Sequence, residues 1–164
     1  MSTFLTPHFT LEALTSVGPH LGLENDPDQQ EYENLMLLAQ VLEECRSALS
    51  AYFGTDTKVY VKYGLRQAPL NTACGGSMTS AHLEGLAADT HYDGHDSEEV
   101  GHILFQNPVM AKIDQLIIVN GCLHIGLPCR ASGYEPRHQL LHDGWKNGKR
   151  FYTLMSVWKE DHNG

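Results

Sequence analysis

The sequence predicts an α+β fold, and three observations carry that prediction. One long amphipathic helix comes early in the chain, period-two strand patterns follow it, and two of those strands meet at an Asn-Gly pair. Helices first and strands afterwards argue against a doubly wound sheet, in which the two alternate. The expected architecture is a small antiparallel sheet packed against a long N-terminal helix and shorter helices.

The elements follow in order. Thr10 is a plausible N-cap for a short helix, "LEALTSV", which Gly18-Pro19 ends. From about Glu31 to Tyr52, apolar Leu35, Leu38, Leu42, Cys45, Leu49 and Tyr52 recur every three or four residues. They form one buried stripe that leaves Glu33, Glu43, Glu44 and Arg46 to solvent, and Gly54 stops the helix. "KVYVKYG" then alternates Val59 and Val61 with Lys58, Tyr60 and Lys62, as a strand with unlike faces does. The Gly-, Ser- and Thr-rich stretch "RQAPLNTACGGSMTS" predicts an irregular loop. A short strand, "LAADTHY", follows, then a helix over about Ser97 to Gln106 with Ser97 as its N-cap. "DQLIIVN" and "CLHIGLP" read as a hairpin about Asn120-Gly121, and "RFYTLMSVW" as a last strand.

With 164 residues the chain fits one domain, 1–164, able to bury a core without disulfides. A formal charge of -9 with only 11 basic residues would repel phosphate backbones, so nucleic acid is not an expected partner. Cys45, Cys74, Cys122 and Cys129 show no CxxC spacing, which suits a reducing compartment. "MSTFLTPHFT" lacks a basic start followed by an apolar stretch, and no run approaches 18 apolar residues. A protein made in the cytoplasm, with no membrane insertion, is the expectation.

The chemistry concentrates at "SAHLEGLAAD", residues 80–89. A catalytic zinc site takes three protein ligands and leaves one position open, and neutral imidazoles with a carboxylate meet that need. Six residues separate His82 from Asp89, too many for one helical face but enough for a turn at Gly85 to bring both side chains to one point. His124, between apolar Leu123 and Ile125 on a strand, points away from its neighbours and is the third candidate. His91 and His95 are the rivals; the remaining histidines, His162 among them, read as surface residues.

"SAHLEGLAAD" also resembles the SxHxxGxAxD signature of the M15 zinc D-Ala-D-Ala carboxypeptidases and related phage endolysins, a group similar to the hedgehog signalling domain. "HFTLEAL", "NDP", "NL…LAQVLEECR", "GLR…N…GGS", "DQLI" and "LHIGL" resemble the small single-domain members in the same order, over roughly residues 8–127. The resemblance implies that His82, Asp89 and His124 bind Zn2+ on the sheet face. It implies that Arg66 steadies a substrate carbonyl or carboxylate and that Ser80 lies near the substrate, although a salt-bridged arginine and a loop-capping hydroxyl would look the same. The implied function is a peptidase or amidase acting on peptidoglycan stem peptides, phage or bacterial in origin, released to the cell wall or carried on a virion.

The pattern breaks at one place. Amide hydrolysis needs a base to take a proton from the attacking water, and in this family an acid a few residues before the last histidine serves. Here those positions are Val119, Asn120, Gly121, Cys122 and Leu123. Losing that base should cost on the order of a hundredfold to ten-thousandfold in rate. Glu84, His91, His138 or His142 could substitute; Cys122 could add a fourth, thiolate ligand or be a small buried hydrophobe. The alternative function is therefore a catalytically impaired zinc-binding module of the same fold, acting as a binding or virion-associated protein.

Overall fold

The computed structural model describes residues 2–160, so His162 lies outside the described residues. The chain is α+β. A small ribbon, β1 (Phe4–Thr6) and β2 (Phe9–Thr10), leads into α1 (Leu11–Leu14), whose N-cap is Thr10, with Oγ1 accepting from the Ala13 amide at 3.1 Å. The long helix α2 spans Gln29–Phe53 and starts before Glu31 because Asp28 and Glu31 close a capping box, each side chain accepting from the other's amide. Gly54 ends it in the left-handed conformation. Leu35, Leu38, Leu42, Cys45 and Leu49 are fully buried, as their spacing predicts, but Tyr52 at the end of the same stripe is exposed.

Four further strands and two helices lead to the C-terminal hairpin. β3 (Tyr60–Tyr63), α3 (Ala68–Ala73), β4 (Ala87–His91), α4 (Ser97–Phe105), β5 (Gln115–Val119) and β6 (Cys122–Gly126) precede β7 (Gln139–Lys146) and β8 (Lys149–Val157). Three expectations change. The stretch expected to be irregular over residues 66–80 contains α3, which a proline in its first turn starts. The N-cap of α4 is Asp96, whose carboxylate accepts from the Glu99 amide at 2.8 Å, while Ser97 donates to the Val119 carbonyl. The last strand pairs with β7, which has no counterpart in the sequence reading, through a second Asn-Gly turn at Asn147-Gly148.

The six-stranded sheet runs β3-β4-β6-β5-β7-β8. Every pair is antiparallel except β5–β7. Register fixes which side chains share a face, since alternate residues point to opposite sides. Ala88, Ile125, Leu116 and Leu140 form one transverse row, all buried in the cluster that includes the apolar stripe of α2. The next row, on the opposite face, is Asp89, His124, Ile117 and Leu141. No helix among the described residues is long and apolar enough to cross a membrane.

Candidate metal centre

Each side chain of the centre is positioned by a separate local device. Ser80 Oγ accepts from the His82 amide at 3.2 Å and caps a 3-10 turn over Ala81–Glu84. That turn ends at Gly85, whose φ of 72° is the left-handed region and whose missing Cβ would otherwise lie 3.2 Å from the Glu31 carbonyl oxygen of α2. The chain reverses there and enters β4, which presents Asp89 directly opposite His124 of β6. The turn foreseen at Gly85 is thus present, and the strand histidine does face away from Leu123 and Ile125, both fully buried.

His82, Asp89 and His124 each offer one ligand atom, and these atoms all lie within 4.8 Å of one another. Asp89 Oδ1 is 3.2 Å from His82 Nε2 and 3.2 Å from His124 Nδ1. The imidazole planes stand at 71° with centroids 5.0 Å apart, so their edges converge instead of stacking. His82 is buried, while the Asp89 and His124 side chains keep 16% and 15% of their surface, which leaves one side of the cluster open.

Protonation follows from these contacts. Burial lowers the His82 pKa against the opposing pull of Asp89, so the ring is neutral at pH 7. Its proton sits on Nδ1, donated to the Gly64 carbonyl at 2.7 Å, and Nε2 therefore turns a lone pair toward the carboxylate. Burial alone would raise the Asp89 carboxyl, but the His82 and His124 imidazoles packed against it hold it well below the usual carboxylate range. Two acceptor atoms facing each other at 3.2 Å are mutually repulsive, and a divalent cation between them reverses the sign of that interaction. The donor set, two imidazoles and one carboxylate with an oriented second contact on His82, fits zinc.

The other residues picked out by sequence fall around this centre. Neither His91, His95 nor Cys122 belongs to the cluster. Cys122 shares its face, offset by two from His124, and its thiol is pushed up to about 11 by burial and by the Asp89 charge. Arg66 donates its amide to the His82 carbonyl at 2.8 Å, and its guanidinium lies 5.8 Å from the Tyr63 ring centroid. Its Nε is buried and has no hydrogen-bond partner among the described residues. Ser80 does the capping work that its sequence alternative described. Glu84 has its carboxylate elsewhere: Oε1 accepts from Tyr134 Oη at 2.8 Å and Oε2 from the Arg130 amide at 3.1 Å. Acting as a base would require it to break both bonds.

Two contributors were not singled out as site residues from the sequence. The Gly64 carbonyl that orients His82 is backbone, invisible to residue-type reasoning. Asn25 is buried, with Nδ2 donating to the Thr15 and Leu65 carbonyls and Oδ1 accepting from the Gln67 amide. It clamps both neighbours of Arg66, and only its position in "NDP" ahead of the helix hinted at a role.

No curated protein matches the chain. The β7–β8 hairpin lies beyond the stretch that carries the resemblance. The sequence profile of the family described as Peptidase M15 matches residues 7–125, which take in the capping turn, Arg66 and all three residues of the candidate centre, and the chain belongs to that family.

Proposed function

We propose that this chain is a zinc peptidase that cuts an amide bond in the stem peptides of peptidoglycan, in the manner of the phage and bacterial D-Ala-D-Ala carboxypeptidases and endolysins it resembles. The observation that carries the reading is the preorganised His82–Asp89–His124 cluster, open on one side, in a chain of the M15 family. A zinc ion bound there supplies Lewis-acid polarisation of a carbonyl and activation of a water. The chain's own residues do the remainder. His82 is kept neutral and oriented by Gly64, and Asp89 stays ionised. Arg66, with an unused buried donor, steadies the substrate carbonyl or carboxylate, and the Ser80 hydroxyl retains its proton for a substrate oxygen while its lone pair caps the turn. A wall peptide lies outside the cytoplasm, so this reading includes release to the wall or carriage on a virion.

One observation favours a second reading, a zinc-binding module of the same fold with impaired hydrolysis. Val119 occupies the sheet face beside the cluster where an acid would serve as base, and the Glu84 carboxylate is engaged by Tyr134 and Arg130. Metal analysis joined to digestion of purified cell walls separates the two. One zinc per chain with released stem-peptide fragments supports the peptidase; one zinc with undigested walls supports the module; no zinc refutes both.

A further inference from the structure

The C-terminal hairpin leaves an open edge. β8 (Lys149–Val157) ends the six-stranded sheet with β7 as its one neighbour, so among the described residues its other side presents unpaired N–H and C=O groups. All nine of its residues are exposed. Phe151, Tyr152, Leu154, Met155 and Val157 each keep 44–50% of their surface, and Trp145 of β7 keeps 63%. They fall outside residues 7–125, the stretch that matches the family.

Soluble proteins guard an edge strand with lysine, proline or an inward-pointing charge. Here the charges, Lys149 and Arg150, stand at the turn end, and from Phe151 to Val157 there is neither a charge nor a proline. The β7–β8 ladder is regular from Lys149 to Leu154 and shifts only beyond it, between the pairs Leu141–Leu154 and Leu140–Ser156. An uncharged apolar edge of this kind is a template for another strand. The opposite edge of the sheet is a poor match for it, since β3 (Tyr60–Tyr63) is short and carries Lys62, so head-to-tail growth of the sheet is disfavoured.

We propose that β8 is the interface between two copies of this chain, joined edge to edge and antiparallel about a two-fold axis at Thr153. The proposal is independent of the peptidase reading. Charge selects the arrangement: in a parallel pairing Lys149 and Arg150 of the two copies would lie side by side at a strand spacing of roughly 5 Å, inside the Debye length. Antiparallel about Thr153, Lys149 and its copy stand roughly 27 Å apart along the strands. Each basic turn, with Lys146, Lys149 and Arg150, then runs toward the end of the partner's strand, which Glu160 follows. At the axis Thr153 meets its own copy and Tyr152 meets the partner's Leu154, an aromatic–aliphatic pair, and both contacts lie in the regular part of the ladder. Half-exposed side chains of this size offer roughly 500 Å² per copy and about 1,000 Å² for the pair, the lower bound for a specific interface. A dimer of micromolar affinity is the consequence.

The test is sedimentation equilibrium of the full chain from roughly 1 to 300 μM, the range that brackets micromolar affinity. The native mass should rise from that of one chain toward that of two. Leu154→Lys sets an ammonium group on either side of the axis and should raise the dissociation constant at least about tenfold. Thr153→Cys should give a disulfide-linked dimer on mild oxidation, because paired Cα atoms of an antiparallel ladder lie about 4.5–5.5 Å apart, within disulfide reach. The native chain, with its free cysteines elsewhere, is the control. A native chain of single mass throughout, or a Leu154→Lys variant that associates as tightly as the native chain, overturns the interface. Should Leu154→Lys fail to fold, Thr153→Cys decides, and no covalent dimer beyond the native control overturns it equally. A single-mass chain that binds phosphatidylglycerol vesicles would give the hairpin to a lipid surface instead of a second copy.

Discussion

Replacing Val119 with glutamate should convert a slow or silent centre into a faster one, and the register says why that position is the right one. Val119 pairs with Cys122 across the hairpin and Ile117 pairs with His124, so Val119 is the diagonal neighbour of His124 on the same face. Diagonal cross-strand neighbours lie about 7–8 Å apart, within reach of a long side chain. A carboxylate carried on the glutamate stem therefore arrives at the open side of the triad, where a water's proton must go. General-base assistance of about a hundredfold to ten-thousandfold corresponds to about 2.7–5.4 kcal/mol off the barrier. Gly121 is a poorer place for the acid: its φ of 84° in the hairpin turn disfavours any L side chain, and a Cβ there would meet nothing within 4 Å, so it points to solvent. The assay is kcat/KM on purified stem peptides for zinc-loaded native chain, Val119→Glu and Val119→Gln, with zinc content measured alongside. Val119→Gln controls for size and polarity without basicity. A glutamate variant no faster than the glutamine variant, at equal zinc content, refutes the argument that a missing base limits the rate.

Alanine at His82, Asp89 or His124 should abolish stoichiometric zinc and lower the melting temperature of metal-loaded protein, because metal affinity is linked to folding; zinc near one per chain in any variant removes that residue from the ligand set. Arg66→Ala should keep its zinc and bind a carboxylate-bearing peptide more weakly, and an unchanged affinity by calorimetry would end the clamp assignment. Glu84→Gln should retain zinc and lower stability by about 0.5–1.5 kcal/mol in urea melts, since it ties the Arg130–Tyr134 segment to the 3-10 turn; a large loss of rate with unchanged stability would instead make Glu84 the base. Without metal, the lowered pKa of buried His82 means that the unfolded chain binds more protons once the pH drops below about 6.5, and the lowered Asp89 pKa adds the same sign below about 3.9. The melting temperature of metal-free protein should accordingly fall as the solution is acidified from pH 7, and a flat profile between pH 7 and 5 would contradict the neutral buried state of His82.

The sequence made the helix α2, the β5–β6 hairpin and the His82–Asp89–His124 cluster legible for different reasons. The α2 stripe announces itself because burial on a helix repeats every three to four residues, and Leu35 to Leu49 keep that period without interruption. Asn120-Gly121 states the turn and the β5–β6 register, which puts His124 on the face opposite Leu123 and Ile125, whereas its pairing with Asp89 is made by β4 and not by the hairpin. What escaped was tertiary. β7 alternates weakly and has Gly144 within it, where a Cβ would meet the Phe151 ring of β8 unless that ring shifted, so its strand character comes from its partner. The boundary at Gln29 and the cap at Asp96 depend on which of several nearby polar residues caps the helix, a choice decided by geometry that residue types leave open. Glu84 looked available because it sits two residues from a ligand, but a 3-10 turn sends its carboxylate toward Tyr134, a contact 50 residues away in sequence.

The two faces of the sheet explain how residues around the centre can vary while the fold is kept. Rows one residue apart alternate between the core, with Ala88, Ile125, Leu116 and Leu140, and the triad face, with Asp89, His124, Ile117 and Leu141. A change confined to the second face, such as valine for an acid at 119, leaves the packing against α2 untouched, because period two sends every core contact through the other residues. The same alternation makes stability a poor witness to chemistry here. A variant of Val119 can melt like the native chain and differ from it by orders of magnitude in rate, whereas a one-residue slip at Asn120-Gly121 would exchange the faces and destroy core and centre together.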